Sequence, residues 1–297
     1  MWVINNRKIF YTFSIILVTA SLASLLVWGL KPGVDFSGGT LIEVAYPSGI
    51  PDQSRIIETL SNIDSAVSVR RSGDDGYIVR MKAINEDTHA LVMEALSLGG
   101  AAQPVEKTFD SIGPILGAET LRKSYISIVL VILGIVLYIT FAFRKVSQPV
   151  SSWKYGLVAI VALIHDVIIP TGLFSILGHF AGYEVNTLFI TALLVILGFS
   201  VHDTIVVFDR VRENLKNAGG RKPFKDVVGE SISQTFTRSI NTSMTTLIAL
   251  IVLYFVGGAT TQHFSLALIV GIAAGTYSSI FVGSALLVTV EELQKRK

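Results

Sequence analysis

An aspartate stands where a bilayer would make a charge costly. The run from Leu197 to Arg210 (LGFSVHDTIVVFDR) is apolar enough to cross a membrane, yet it carries His202 and Asp203 near its middle. Asp at the centre of a membrane helix costs about 2.5–3.5 kcal/mol even on lenient insertion scales, so such a residue reads as functional and in need of a partner. Arg238 is the partner in view. It lies in the stretch 231–245, where Gln234, Arg238, Asn241, Thr242 and Thr245 recur at helical spacing and share one face. If the two helices are antiparallel neighbours, a rise of about 1.5 Å per residue sets Asp203 and Arg238 at comparable depth. A membrane-embedded Asp–Arg pair is therefore the leading candidate site. His202 is adjacent to Asp203 and so points about 100° away around the helix.

A second ionisable pair, His165-Asp166, lies in another apolar run and is followed by Pro170 and Gly172. Pro170 is expected to break or kink that helix near Asp166 and free a carbonyl there. Two readings stand side by side: a further station on a hydrated path, or a buried polar cluster that locks the bundle. An intramembrane aspartyl protease built on Asp166 and Asp203 is disfavoured, because Arg238 beside a catalytic dyad would oppose the raised pKa that one carboxyl needs. Asp209, Arg210, Arg212 and Glu213 read as an interfacial charge set paired at i,i+3 and i,i+4.

These groups must be carried by a polytopic membrane protein. Hydrophobic residues make up 51% of the chain and charged ones only 15%, which excludes an ordinary soluble domain. The formal net charge of +2 gives no reason to expect nucleic acid, and the absence of cysteine rules out disulfides and Cys-ligated metals. Neither a metal nor a cofactor is expected. Apolar runs at about 9–30, 124–143, 155–177, 187–208, 235–256 and 264–290 predict six spans of a core roughly 30 Å thick, the first read as an uncleaved helix. Arg144, Lys145, Lys154, the basic residues between 210 and 225, and Lys295, Arg296 and Lys297 predict that both termini are cytosolic. Gly271 and Gly275 form a GxxxG pattern that suggests close helix packing.

Between the first two spans the composition turns soluble. Alternation predicts strands over 40–46, 66–71, 77–82 and 105–109, with a hairpin turn at 72–76. Helical spacing predicts helices over 51–63 and from an Asn85 N-cap to Leu98. The order βαββαβ is the ferredoxin-like unit. The expected division is a cytosolic N-terminus and first helix over 1–30, an extracytoplasmic ferredoxin-like domain over 31–123, the rest of the bundle over 124–290, and a basic cytosolic tail over 291–297. Nothing in the small domain reads as catalytic, and His89 reads as a solvated residue on its helix. Gly38 and Gly39 allow positive φ where the first helix hands over to the first strand, with Asp35 capping or bonding that turn.

Two stretches carry a resemblance. Gly33-Val34-Asp35-Phe36-Ser37-Gly38-Gly39-Thr40, together with the run from Gly198 to Asn214, resembles the SecF family. These are the smaller membrane subunits of bacterial SecDF complexes, within the resistance-nodulation-division superfamily. The likeness spans nearly the whole chain. It implies no enzyme but a subunit of the bacterial cytoplasmic (inner) membrane that pairs with SecD. Such a complex uses the proton-motive force to help SecYEG, with SecA, complete export of unfolded preproteins. The family's intramembrane Asp falls on Asp203 and its Arg on Arg238, with a further carboxylate contributed by SecD. His202 stands where many members have Asn, and His titrates near neutral pH. Gly33, Asp35, Phe36, Gly38 and Gly39 are the family's motif at the entry to the outer domain. A proton-coupled exporter of small molecules from the same superfamily is the alternative; those generally use larger outer domains and more spans in one chain.

Overall fold

The computed structural model describes residues 2–142 and 152–295. Arg144, Lys145, Arg296 and Lys297, four of the residues on which the expected orientation rests, lie outside the described residues. The chain divides into two compact units: Pro32–Ile126 with Glu184–Thr187, and the remainder.

The smaller unit opens on a one-turn helix, α3 (Val34–Ser37); α1 (Trp2–Asn5) and α2 (Arg7–Trp28) precede it in the chain. Then come β1 (Gly39–Ala45), α4 (Gln53–Ser61), β2 (Ser68–Ser72), β3 (Gly76–Met81), α5 (Glu86–Leu96) and β4 (Val105–Ile112). All pairings are antiparallel and the strand order is β2-β3-β1-β4, the ferredoxin-like arrangement expected from βαββαβ. Period-two alternation places Ile42 and Val44 in the core with Val79 and Val69, and the helices cover them with Ile56, Leu60, Val92 and Leu96. Of the two helix caps, Asn85 is the one the sequence announces. Asn85 accepts the Thr88 N–H at 3.0 Å, and Asp52 accepts the Ser54 N–H at 3.1 Å, so α4 begins after Pro51 rather than at it. Gly76 has no room for a side chain: a Cβ there would lie 2.3 Å from the Val44 carbonyl oxygen.

Asp64 fastens the end of β3, accepting the N–H groups of Lys82 at 2.8 Å and Ala66 at 3.0 Å. Those bonds hold its carboxyl below the ordinary value, the Lys82 N–H being the larger cause. His89 corrects its expected solvated role. Its Nε2 meets Glu106 at 2.7 Å and its ring lies 4.1 Å from that of Phe109, because the last strand brings both beneath α5.

Among the described residues, six helices are long and apolar enough to cross a membrane, the expected number. They are α2, α6 (Pro114–Ala142), α7 (Ser152–Phe180), α8 (Thr187–Ala218), α9 (Phe224–Val256) and a sixth made of α10 (Ala259–Tyr277), a π-helical turn (Ser278–Gly283) and α11 (Ser284–Lys295). Several outrun the apolar stretches that announced them. α6 starts about ten residues early, with Pro114 in its first turn and Glu119 paired to Lys123 at 2.8 Å. α8 continues past Phe208 through Arg212–Asp209 and Arg210–Glu213 pairs at 3.7 and 2.6 Å. Hydropathy reports the thickness of hydrocarbon, while charged residues at i,i+3 and i,i+4 carry the helix beyond it.

Small residues set the helix crossings. A Cβ on Gly172 would lie 2.4 Å from Ser21 Cα, so α2 and α7 meet backbone to backbone, and Ser24 Oγ donates to the Gly172 carbonyl at 3.0 Å. The GxxxG pattern faces α8: a Cβ on Gly271 would sit 2.1 Å from Ile196 Cδ1, and one on Gly275 would sit 3.1 Å from Ser200 Cβ. Of the break or kink expected at Pro170, the break is absent: α7 runs through it as one helix. Membrane helices absorb a proline when neighbouring helices and side chains satisfy the freed groups.

Candidate functional site

Asp203 lies on α8 and is 2% exposed, with Oδ2 lacking a hydrogen-bond partner among the described residues. Asp203 lies fifteen residues before the end of α8 and Arg238 fourteen after the start of α9. At about 1.5 Å per residue, they are about 22 and 21 Å from the short connection between the helices. They share a depth without closing into an ion pair among the described residues.

The rest of the polar face of α9 divides in two. Gln234 belongs to the connection: its Oε1 accepts from Arg210 Nε at 2.7 Å and from Asn214 Nδ2 at 2.8 Å. Arg238, Asn241, Thr242 and Thr245 are exposed in the isolated chain, as is His202. Were that face to lie within a bilayer, its arginine and amide would call for polar company from another chain.

Asp166 has a different setting. It is fully buried and gathers three groups: His165 Nδ1 at 2.8 Å on Oδ1, and the hydroxyls of Ser278 at 2.7 Å and Ser200 on Oδ2. One carboxylate thus ties α7 to α8 and to the sixth helix. Ser278 is the first residue of the π-turn, and Ser284 Oγ bonds the carbonyl five residues back at 2.8 Å. Such turns recur where a helix has been re-aimed for function. Ser200 is three residues before Asp203, so the Asp166 cluster holds α8 one turn from the carboxylate whose Oδ2 lacks a partner among the described residues. The His165 ring lies 6.1 Å from that of Tyr277, whose hydroxyl donates to the Phe10 carbonyl at 2.9 Å. His165 Nε2 has no partner among the described residues, and the residue borders a cavity of about 410 Å³ with Ser14, Thr19 and Val282.

The sequence named Asp166 but neither Ser200 nor Ser278. Serines are common in membrane helices, and nothing local distinguishes one that meets a carboxylate on another helix from one that bonds its own backbone. At the entry to the α/β unit, Gly38 and Gly39 adopt φ of +72° and +118°, in the left-handed region expected of them. Asp35 does not cap its own turn; it reaches Thr187.

Residues 94–293 match the family described as protein export membrane protein SecD/SecF, C-terminal, and residues 23–46 match the SecD/SecF GG motif. The chain belongs to the SecD/SecF family. Full-length relatives named protein translocase subunit SecF occur in Thermobaculum terrenum, 41% identical over 97% of this chain and 93% of that protein, and in Anaerolinea thermophila, 35% identical over 97% and 94%. Among solved structures, SecDF from Thermus thermophilus, described as a translocon-associated membrane protein, superposes with a TM-score of 0.81 at 28% identity. SecDF in a super-membrane-facing form gives 0.70 at the same identity. This chain covers 97% of its own length but only 38% of the first SecDF chain. As a SecD/SecF member it is an integral protein of the bacterial cytoplasmic membrane. The GG motif holds Asp35, Gly38 and Gly39, and the C-terminal match holds Asp166, Asp203, Arg238 and the π-turn.

Proposed function

We propose that this chain is the SecF-type half of a SecDF assembly that spends the proton-motive force to help SecYEG and SecA complete preprotein export. In this reading both termini are cytosolic and the ferredoxin-like unit lies outside, where it holds or releases the emerging polypeptide. SecD covers the exposed polar face of α9. The observation that carries the reading is Asp203: a buried carboxylate at bilayer depth with one oxygen unpartnered and Arg238 level with it. A proton falling through the membrane potential supplies about 2.3 kcal/mol per 100 mV, enough to do mechanical work only if a buried group takes up and releases it as the bundle changes shape. Asp203 can alternate; Arg238 cannot. Ionised, Asp203 draws the guanidinium in; protonated, it lets it go, and α8 and α9 repack.

The test is proton-gradient-dependent export by vesicles holding SecYEG, SecD and either this chain or Asp203→Asn, with assembly checked by co-purification of SecD. Loss of the gradient-driven component with assembly intact supports the reading. Undiminished gradient-driven export by Asp203→Asn would sink it.

A further inference from the structure

Glu184–Thr187, the three residues before α8 and its first, belong to the same compact unit as Pro32–Ile126, far from it in sequence. Several contacts bring them there. The Gly33 N–H donates to the Val185 carbonyl at 2.8 Å, and Pro32 pairs with Val185 in a parallel bridge. A Cβ on Gly33 would lie 3.2 Å from the Val185 oxygen, a tight approach that a larger residue would press apart by a few tenths of an ångström. From β3 the Arg80 guanidinium pairs with Glu184. Asp35 Oδ2 accepts both the backbone N–H of Thr187, at 2.8 Å, and the Thr187 hydroxyl.

Thr187 is the first residue of α8, and its N–H is one of the four that a helix leaves without an internal partner. A carboxylate at that end also faces the positive pole of the helix dipole. Asp35 therefore does the work of an N-cap from 152 residues away. The same short segment is clamped from its other side by the start of α6. A Cβ on Gly38 would lie 2.8 Å from Pro114 Cα, and one on Gly117 would lie 2.8 Å from the Gly38 nitrogen and 3.0 Å from the Phe36 oxygen. Close packing at both faces leaves the segment no slack, because packed interfaces move as units rather than deform.

We infer that Asp35, with the Arg80–Glu184 pair, forms a fixed joint through which α8, the helix that carries Asp203, drives the α/β unit. The joint stays closed throughout the cycle. A shift of α8 pulls Thr187, Thr187 pulls Asp35, and Asp35 sits three residues before Gly38, after which Gly39 opens β1. Asp35 is thus a positioning residue for the transport step. This inference rests on the function proposed above.

Two readouts test it in the intact chain with SecD. Amide hydrogen exchange over residues 185–189 reports the joint itself, and gradient-driven export reports its use. Asp35→Ala raises exchange at the Thr187 amide and removes the gradient-driven component of export, while SecD co-purification and gradient-independent export persist. Asp35→Asn, which keeps an acceptor for the Thr187 N–H, retains most of both. In the Asp35→Ala background a Pro32→Cys and Val185→Cys pair restores gradient-driven export on oxidation; the chain has no cysteine of its own to interfere. Three results would overturn the joint: full gradient-driven export with Thr187 deprotected, unchanged protection of Thr187 in Asp35→Ala, or arrest of the otherwise unaltered protein when the cysteine pair is oxidised. Asp203→Asn runs alongside as the control. If it too exports normally, the energy-coupling reading fails, and the joint is judged by exchange at Thr187 alone.

Discussion

Ser278 donates its hydroxyl to Asp166 Oδ2 at 2.7 Å from the residue where the sixth helix passes into its π-turn. The shift in register within that turn and the carboxylate it meets are one device. A helix that kept its α-helical hydrogen bonds through Ser279–Ser284 would carry the following residues around its axis relative to Ser278 and those before it.

Removing either serine hydroxyl leaves Asp166 short of a donor in a site without exposed surface. Ser278→Ala should lower stability by about 1–3 kcal/mol, the range for a buried acceptor deprived of a partner. Ser200→Ala should cost a similar amount. The double variant should cost clearly less than the two together, since both act on one carboxylate. Thermal unfolding of the detergent-solubilised chain measures all three, and strict additivity would show that the two hydroxyls serve different partners.

The glycine crossings predict a contrast. At Gly172 the obstacle is the Ser21 backbone, which cannot swing aside; at Gly271 it is the tip of Ile196, which can be shortened. Gly172→Ala should therefore be severe, above about 3 kcal/mol, with no rescue from Ser21→Gly alone because Cα remains in the way. Gly271→Ala should be milder and largely relieved by Ile196→Ala. The same unfolding measurement separates the two cases.

How far the sequence reached follows from what each feature depends on. Asp203, Arg238 and the ferredoxin-like order were legible because a charge in an apolar run, a basic residue on a helical stripe and a switch from period 2 to period 3.6 are all local signals. Asn85 as a cap was legible for the same reason. Asp35 could be seen, but not its partner: Thr187 is distant in sequence, and nothing around it marks it as the end of a helix held by another segment. Ser200 and Ser278 were hidden by their ordinariness, and the π-turn by the uniform hydropathy of the run 264–290, which carries no information about register. The apolar stretch also misplaced the starts of α6 and α9, whose opening stretches carry ion pairs instead, Glu119 with Lys123 and Lys222 with Glu230.

Asp64 gives the α/β unit a defined acid sensitivity. Its folded-state pKa is depressed by the N–H groups of Lys82 and Ala66, so its contribution is fully present above the ordinary carboxylate value and is lost as pH falls through the folded value. The carboxylate borders a polar cavity with Lys82 and Thr88, and solvent there weakens the bonds, so about 1 kcal/mol is the expected contribution at neutral pH. Asp64→Asn should destabilise the unit by about that amount at pH 7, and the gap should close below about pH 4. Hydrogen exchange of the β3 amides in the full chain, run at both pH values with correction for intrinsic rates, reports it. A gap that persists in acid would show that shape rather than charge holds this corner.

Arg238 tests whether the site at bilayer depth needs a guanidinium or only a positive charge. The side chain lies on an exposed polar face level with Asp203, and the two are not in direct contact among the described residues, so closing the pair requires the arginine to move. Guanidinium is planar, weakly hydrated and always charged, and can bridge Asp203 and a carboxylate from a second chain at once; an ammonium is a compact point charge that sheds its proton when buried. Arg238→Lys should accordingly retain SecD binding but lose most gradient-driven export, and Arg238→Gln should lose all of it. The double variant Asp203→Asn with Arg238→Gln should be no worse than either alone, because each removes the same switch. Gradient-driven export by Arg238→Lys at the level of the unaltered chain would reduce the arginine to a counter-charge and leave Asp203 to act with His202 alone.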